Sequence, residues 1–310
     1  MKGEVTVIIP CYNVEAYIHE CLDSVALQGD VVHHIYVVDN NSADDTVDTV
    51  RRWQNGNPTS PLTLLSQTKP GAPAARNLPL SRVETKWIQF LDADDLLLPG
   101  KIEDQIHQFP NADVICAGFQ RVSLDGEKIT AHLTQNIPLA LMQGTAGITS
   151  SNLFSTKGVQ SVTGWDESLK SSQEYDLMFR VWQTGATFDV DLTPRALIRE
   201  RPRGQISQRD PRDRWQQLIR TQLKMLRFYD EKHVLDESSL IQCQQAIFDR
   251  IRILSKYDRD QAIDLFDKFL KPYQFHPQPN ESNSKAYIAL VRLVGFALAE
   301  RIKGLTSKLK

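Results

Sequence analysis

The sequence is poor in cysteine: four in 310 residues, at Cys11, Cys21, Cys116 and Cys243, with no C-x-x-C pair and no metal-finger spacing. That scatter argues against a zinc site or a disulfide framework and for reduced thiols in a cytosolic protein. Long apolar runs are missing as well. Glu4 follows Lys2 closely, and the apolar run from Val5 to Ile9 stops at Pro10, too short for the core of a secretory leader. No uninterrupted apolar stretch reaches the length of a bilayer span. Excess charge of one sign is absent too, because 36 Lys and Arg stand against 38 Asp and Glu. No nucleic-acid partner is therefore expected. The expected location is the cytoplasm, with the inner face of the membrane as the second option.

What is present is a globular composition, 41% hydrophobic and 24% charged, in a chain long enough for a main domain plus an appended portion. The first hundred residues alternate two kinds of pattern. Val5 to Ile9, His34 to Val38, Leu62 to Leu65 and Lys86 to Leu91 read as strands. Between them, Ile18, Cys21, Leu22 and Val25 recur at helical spacing, as do Val47, Val50 and Trp53. Asn13 is a candidate cap and Gly29 a candidate stop for the first helix, while Ser42 with Asp45 resembles a capping box for the second. A helix is expected over Ala74 to Arg82 despite Pro79. Asp113 to Val122 is a further strand, and Asp125-Gly126 turns the chain towards a short strand near Ile129. Residues 151–190 mix loop and helix signals, ending in a helix from Glu174 to Gln183.

Strands alternating with helices predict an α/β fold, a mostly parallel sheet with helices on both faces. In such sheets ligands sit beyond the carboxyl ends of the strands. That rule gathers three loops at one rim: Pro10 to Asn13, Asp39 to Ser42, and Asp92 to Asp95. Carboxylates two residues apart at a strand end, Asp92 and Asp94, suit a hard cation such as Mg²⁺ or Mn²⁺. Turn chemistry explains the same acids equally well, and Asp39-Asn40-Asn41-Ser42 reads either as a nucleoside contact or as an Asx-turn. Tyr12 reads either as a base-stacking ring or as a surface side chain.

Taken in order, these pieces resemble family 2 glycosyltransferases. The resemblance rests on Val7-Ile-Ile-Pro-Cys-Tyr-Asn13, Val37-Val-Asp-Asn-Asn-Ser42, Gly71 with Ala75-Arg-Asn77, Phe90-Leu-Asp-Ala-Asp-Asp95, and Gly164-Trp-Asp-Glu-Ser-Leu169 followed by Gln173-Glu-Tyr-Asp-Leu177 and Arg180. It covers roughly residues 4–205. The resemblance implies a GT-A fold over residues 1–207, which is Rossmann-like and carries a nucleotide-sugar site. It implies that Pro10, Tyr12, Asn13, Asp39 and Asn40 hold the nucleoside and that Arg76 lies near the diphosphate or the uracil. The motif Asp92-Ala93-Asp94 would hold ribose and metal, Asp94 more directly. Glu174 falls on the position of the general base, although the family's usual Glu-Asp pair reads Gln173-Glu174 here. Asn40 stands where many members carry a second Asp. Arg203 is a candidate diphosphate clamp where relatives often have histidine.

The implied activity is inverting, metal-dependent transfer from a nucleoside-diphosphate sugar, uridine-linked by preference. The acceptor would be a glycan or a lipid-linked molecule, in cell-surface polysaccharide or glycolipid synthesis. The other reading is a degenerate transferase that binds a sugar nucleotide or glycan without turnover. A phosphatase of the haloacid-dehalogenase kind fits poorly, because Asp95 follows the second Asp of Phe90-Leu-Asp-Ala-Asp95 and the motif comes late in the chain.

Residues 208–310 carry no recognised motif and form a C-terminal helical region. Helical spacing covers Trp215 to Leu226, then 239–256, 260–270 and 285–305, with Pro272 to Ser284 a loop. Tyr287 to Ala299 is apolar, broken only by Arg292, and basic residues follow. It reads as a helix packed in the core or in a homo-oligomer, or as one resting on an anionic membrane.

Overall fold

The computed structural model describes residues 3–202 and 210–306. The chain divides into two compact units, Met1–Gln205 and Ile206–Lys310.

The first unit opens with β1 (Val5–Cys11), α1 (Ile18–Ala26), β2 (Val32–Asp39), α2 (Thr46–Gly56), β3 (Leu62–Ser66), α3 (Ala72–Asn77) and β4 (Trp87–Phe90). It continues through β5 (Leu96–Leu97), α4 (Lys101–Gln108), β6 (Val114–Val122), β7 (Lys128–Thr130) and α5 (Ile137–Gln143). The last elements are β8 (Leu153–Ser155), α6 (Thr156–Ser161), α7 (Gln173–Gln183) and β9 (Phe188–Arg199). The strands described form one sheet in the order β3-β2-β1-β4-β8-β6-β9-β5, with β7 beside β6. The half β3-β2-β1-β4 is parallel, as the run of strands and helices predicts. From β8 onward the sheet is mixed: β8 is antiparallel to β4 and β6, while β9 is parallel to β6.

β1 is buried along almost its whole length because it lies between β2 and β4, which explains its unbroken apolar run. Pro10 is tolerated there because β4 pairs only with Val5 to Ile8, so no partner on that edge calls for the missing N–H. The carboxyl ends of β1, β2 and β4 stop at one rim, at Cys11, Asp39 and Phe90. β9 and β6 slip register around Gly118, which pairs with Pro194. A Cβ on Gly118 would lie 2.9 Å from the carbonyl oxygens of Leu192 and Thr193, so only glycine fits the bulge.

Several boundaries differ from expectation. The helix expected from Ala74 to Arg82 ends at Asn77, and Leu80–Arg82 is a separate 3₁₀ turn, because Pro79 cannot continue the ladder. β5, β8 and the long β9 are not legible in the sequence, since two are two or three residues long and β9 is interrupted at Pro194.

The second unit is helical: α8 (Pro211–Glu231), α9 (Glu237–Leu254), α10 (Arg259–Leu265), α11 (Lys285–Val294) and α12 (Phe296–Thr306). Asp236, Asp258 and Ser284 cap their helices with side-chain acceptors. The single helix expected over 285–305 is two, divided at Gly295 in a left-handed backbone with φ of 79°. Much of the apolar C-terminal stretch is core: Tyr287, Ile288, Val291, Phe296 and Ala299 are buried. Glu300 is buried with them, 2.6 Å from Arg252 and 2.5 Å from the Tyr287 hydroxyl. Among the described residues no helix is long and apolar enough to cross a membrane.

Lys101 is fully buried behind the rim, its ammonium donating to Oε1 of Gln89 on β4 and to Oε1 of Gln105. Burial pulls its pKa from 10.5 down to about 7, against the nearby charge of Asp191. The unfolded chain therefore holds this proton more tightly, and stability is lost as pH falls from 10.5 towards 7, with no further loss below. Lys101→Met removes that loss. The melting temperature of the variant relative to wild type should be highest at pH 6–7 and should decline steadily by pH 9.5, and a pH-independent difference would show that Lys101 is not the titrating group.

Candidate functional site

The three rim loops are stitched to one another by side chains. Asn13, in a left-handed backbone with φ of 50°, receives Ala43 N–H on its Oδ1 at 2.8 Å and donates its own N–H to Ser42 Oγ at 3.1 Å. Ser42 N–H in turn donates to Asp39 Oδ1 at 3.3 Å. These cross-loop bonds displace the capping roles expected of Asn13 and Ser42. α1 starts after Tyr17 without a side-chain cap, and α2 starts after Asp45.

Asn40 is buried and faces its own chain. Its Nδ2 donates to the carbonyls of Gln67 at 2.7 Å and Lys69 at 2.8 Å, and its Oδ1 accepts from Gly71 N–H at 2.7 Å. An aspartate would set charge against two carbonyl oxygens, so the amide here belongs to the loop that leads into α3. Asp39 is nearly buried beneath the rim, Pro10 is half-buried, and Tyr12 is 56% exposed above it.

In the acidic loop the side chains alternate. Ala93 is buried in the core, which leaves Asp92 and Asp94 half-buried at the rim. Asp95, which the sequence left without a role, is buried and structural. Its Oδ2 accepts from Ser150 Oγ at 2.6 Å and its Oδ1 from Arg199 N–H at 3.2 Å, while Ser150 Oγ accepts Asp92 N–H at 3.1 Å.

Arg76, from the last turn of α3, is 3% exposed and spans the site. Its Nη2 donates to Asp92 Oδ1 at 2.5 Å, its Nη1 donates to Gln173 Oε1 at 3.2 Å, and its guanidinium lies 4.4 Å over the Trp165 ring. Gln173 opens α7, and the next residue, Glu174, lies within electrostatic reach of Arg76 and Asp92. Trp165 is held by Asn77, which accepts its backbone N–H and donates to its carbonyl, each at 2.8 Å. Gly164 before it is required: φ is +75° and a Cβ would lie 2.5 Å from Asn77 Oδ1. Arg180 anchors the same segment through the carbonyls of Val162 and Gly164.

On the far side, Arg199, the last residue of β9, and Arg201, two residues beyond it, reach the acidic loop. Arg199 Nε donates to the Asp94 carbonyl at 2.5 Å. Arg201 donates to Asp94 Oδ2 at 3.4 Å and to the Asn13 carbonyl at 2.9 Å. The clamp expected from the sequence, Arg203, lies outside the described residues, and nothing in the sequence signals Arg201. No strand period could have marked Arg201, because β9 stops at Arg199.

The electrostatics follow from crowding. Burial raises the pKa of Asp94, the like charge of Asp92 adds to it, and Arg201 offsets part. Asp95 is pushed well up by burial and by both neighbouring acids. Burial also raises Glu174; its backbone amide and the Arg76 charge oppose this, and Asp92 reinforces it. The charge of Asp92 thus bears on all three. Two carboxylates crowded two residues apart, Asp92 and Asp94, are a fit for a hard divalent cation. No group of three or more His, Cys, Asp or Glu stands together as a metal site among the described residues. A cation would therefore complete its shell with water and phosphate oxygens, as Mg²⁺ commonly does.

Residues 6–164 match the family model for glycosyl transferase family 2. The chain is 22% identical over 198 residues to a chondroitin synthase of Pasteurella multocida, covering 58% of this chain and 19% of that protein. The chain spans less than two thirds of the length of the curated relatives it matches most strongly. Its fold is similar to that of S. aureus TarS 1–349 in complex with UDP-GlcNAc, with TM-score 0.60, 18% identity, and coverage of 88% of this chain and 92% of that one. It is likewise similar to the mannosyltransferase PcManGT of Pyrobaculum calidifontis in complex with GDP-Man and Mn²⁺, with TM-score 0.57, 18% identity, and coverage of 99% and 88%. A mixed, mostly parallel sheet whose strand ends gather Asp39, Asp92 and Asp94, together with the match over residues 6–164, makes this chain a member of glycosyl transferase family 2.

Proposed function

We propose that the chain transfers a sugar from a uridine-linked nucleoside diphosphate to an acceptor hydroxyl, with inversion, in the synthesis of a cell-surface polysaccharide or glycolipid. The observation that carries this reading is the Arg76 bridge. One guanidinium binds Asp92 and the first residue of α7, and the charges of Arg76 and Asp92 both act on the neighbouring Glu174, which supports a shared space for the acidic loop and Glu174. A relative that is a chondroitin synthase and a neighbour bound to UDP-GlcNAc support the donor class and the polymer class.

In this reading Tyr12 and Asp39 meet the nucleoside, and Arg76 neutralises the inner side of the acidic loop. Asp92 and Asp94 would hold Mn²⁺ or Mg²⁺, which when bound neutralises the charge on a departing diphosphate. Glu174 accepts the proton of the acceptor hydroxyl, whose oxygen forms a bond to the anomeric carbon as the carbon–oxygen bond to the diphosphate breaks. A single displacement inverts that carbon. The raised pKa suits the task, because a base closer to the working pH takes a proton more readily.

The C-terminal unit is proposed to rest on an anionic lipid surface. The exposed side of α11 carries Lys285, Arg292 and the 83%-exposed Leu293, and α12 adds Leu298 and Arg301. The acid of this stretch, Glu300, is buried against Arg252, so the outer face is cationic and apolar.

Incubation of the purified chain with UDP-sugars, Mn²⁺ and candidate acceptors should release UDP. Glu174→Gln should lower the rate about 10²–10⁴-fold while UDP binding persists, whereas Asp94→Ala should weaken Mn²⁺-dependent binding. The wild-type rate should fall as pH drops through a midpoint above 4.5, the ordinary glutamate value. Unchanged turnover in Glu174→Gln excludes it as the base, and metal-dependent binding without any turnover favours a binding protein. Co-sedimentation with phosphatidylglycerol vesicles should exceed that with phosphatidylcholine vesicles and should weaken on charge reversal at Lys285 and Arg292; equal sedimentation with both lipids would count against the surface.

A further inference from the structure

We infer that Arg201 is a resident counter-cation for Asp94, which a divalent ion must displace, so that the ion and a nucleoside diphosphate bind cooperatively. The inference rests on the donor site proposed above and adds to it an order of events.

The two carboxylates of the acidic loop are neutralised differently. Asp92 meets Arg76 at 2.5 Å, in a contact fixed from behind by Gln173 and Trp165. Asp94 meets Arg201 at 3.4 Å, a long contact from a side chain that has other partners. Arg201 is better held by the Asn13 carbonyl at 2.9 Å and lies over the Tyr17 ring at 5.1 Å. It is nevertheless largely buried, with its side chain 12% exposed and that of Asp94 17%, so water screens the pair little. Arg199 tightens the arrangement by donating to the Asp94 carbonyl and lying 5.2 Å from the same tyrosine ring. Asp94 is thus fixed through its backbone, while its carboxylate is only loosely engaged.

A divalent ion ligated by Asp94 would bond its oxygens at about 2.1 Å. A guanidinium at 3.4 Å from the same Oδ2 cannot keep its position beside two added positive charges. Arg201 therefore competes with the ion when no other anion is present. A diphosphate changes the balance, since its oxygens offer the displaced guanidinium a bidentate partner. By linkage, each ligand then raises the affinity for the other by the same factor.

The test is the affinity for Mn²⁺ alone and for Mn²⁺ with saturating UDP, followed by calorimetry and by the electron paramagnetic resonance of free Mn²⁺. Wild type, Arg201→Ala, Arg201→Lys and Asp94→Asn would be compared. Removing one mostly buried competing cation should make Arg201→Ala bind Mn²⁺ alone about five- to tenfold tighter. The enhancement by UDP should shrink by the same factor in that variant. Arg201→Lys retains the charge and should stay close to wild type, and Asp94→Asn should lose the site. Unchanged or weaker Mn²⁺ binding in Arg201→Ala, with Asp94 still required, overturns the inference and leaves the donor site standing. Lysine and alanine variants that behave alike also overturn it. Mn²⁺ binding independent of Asp94 in every case, with or without UDP, would bring down both.

Discussion

The site depends on where one buried positive charge finds its partners. Arg76 has lost its water, and a stranded interior cation costs several kcal/mol unless anions and oriented dipoles surround it. Those partners come from distant parts of the chain: Asp92 from the end of β4, Gln173 from the start of α7, and the face of Trp165 from the segment between. Satisfying Arg76 therefore draws the acidic loop and α7 together. Gln173 suits this role because it offers a neutral acceptor and leaves the ionic pairing to Asp92, while its Nε2 donates to the Leu169 carbonyl.

Around that bridge the rim is assembled by short polar links, each modest alone. Asp39, Ser42 and Asn13 tie the first two loops, Arg201 joins Asn13 to Asp94, and Ser150 with Asp95 fixes the acidic turn from below. The result is a continuous path of bonded groups from Asp39 to Gln173. Its acids are crowded enough that burial raises Asp94, Asp95 and Glu174, and the charge of Asp92 adds to each. Such a rim stores unfavourable charge that a bound cation would relieve. Positions used up by the scaffold are equally informative: Asn40 spends its amide on its own backbone and Asp95 spends its carboxylate on Ser150 and Arg199.

The parallel half of the first unit was legible because its signals are local. Val5 to Ile9 is apolar without interruption since β1 is covered on both faces, and a motif at each strand end follows from where strands stop. Less regular elements hid themselves. β8 has three residues, and β9 is broken by Pro194 against Gly118, so neither shows a clean period. Missing β9 meant missing Arg199 at its end and Arg201 just beyond it, whose shared target, the acidic loop, is visible only in the folded chain. In the second unit, the apolar run through Ala299 was visible, but the break at Gly295 is a backbone choice that a run of apolar residues conceals.

By itself the sequence determined the element order of the parallel half, the family resemblance and the identity of the acids at the strand ends. These are set by hydrophobic period, by turn residues and by motif order, all of which act over a few neighbouring positions. Tertiary structure alone decided which acids serve the scaffold and which face the rim, that Arg76 joins Asp92 to α7, and that Arg201 leans on Asp94. Those outcomes depend on desolvation and on contacts between residues up to 107 positions apart, and neither quantity is written in any local stretch of the chain.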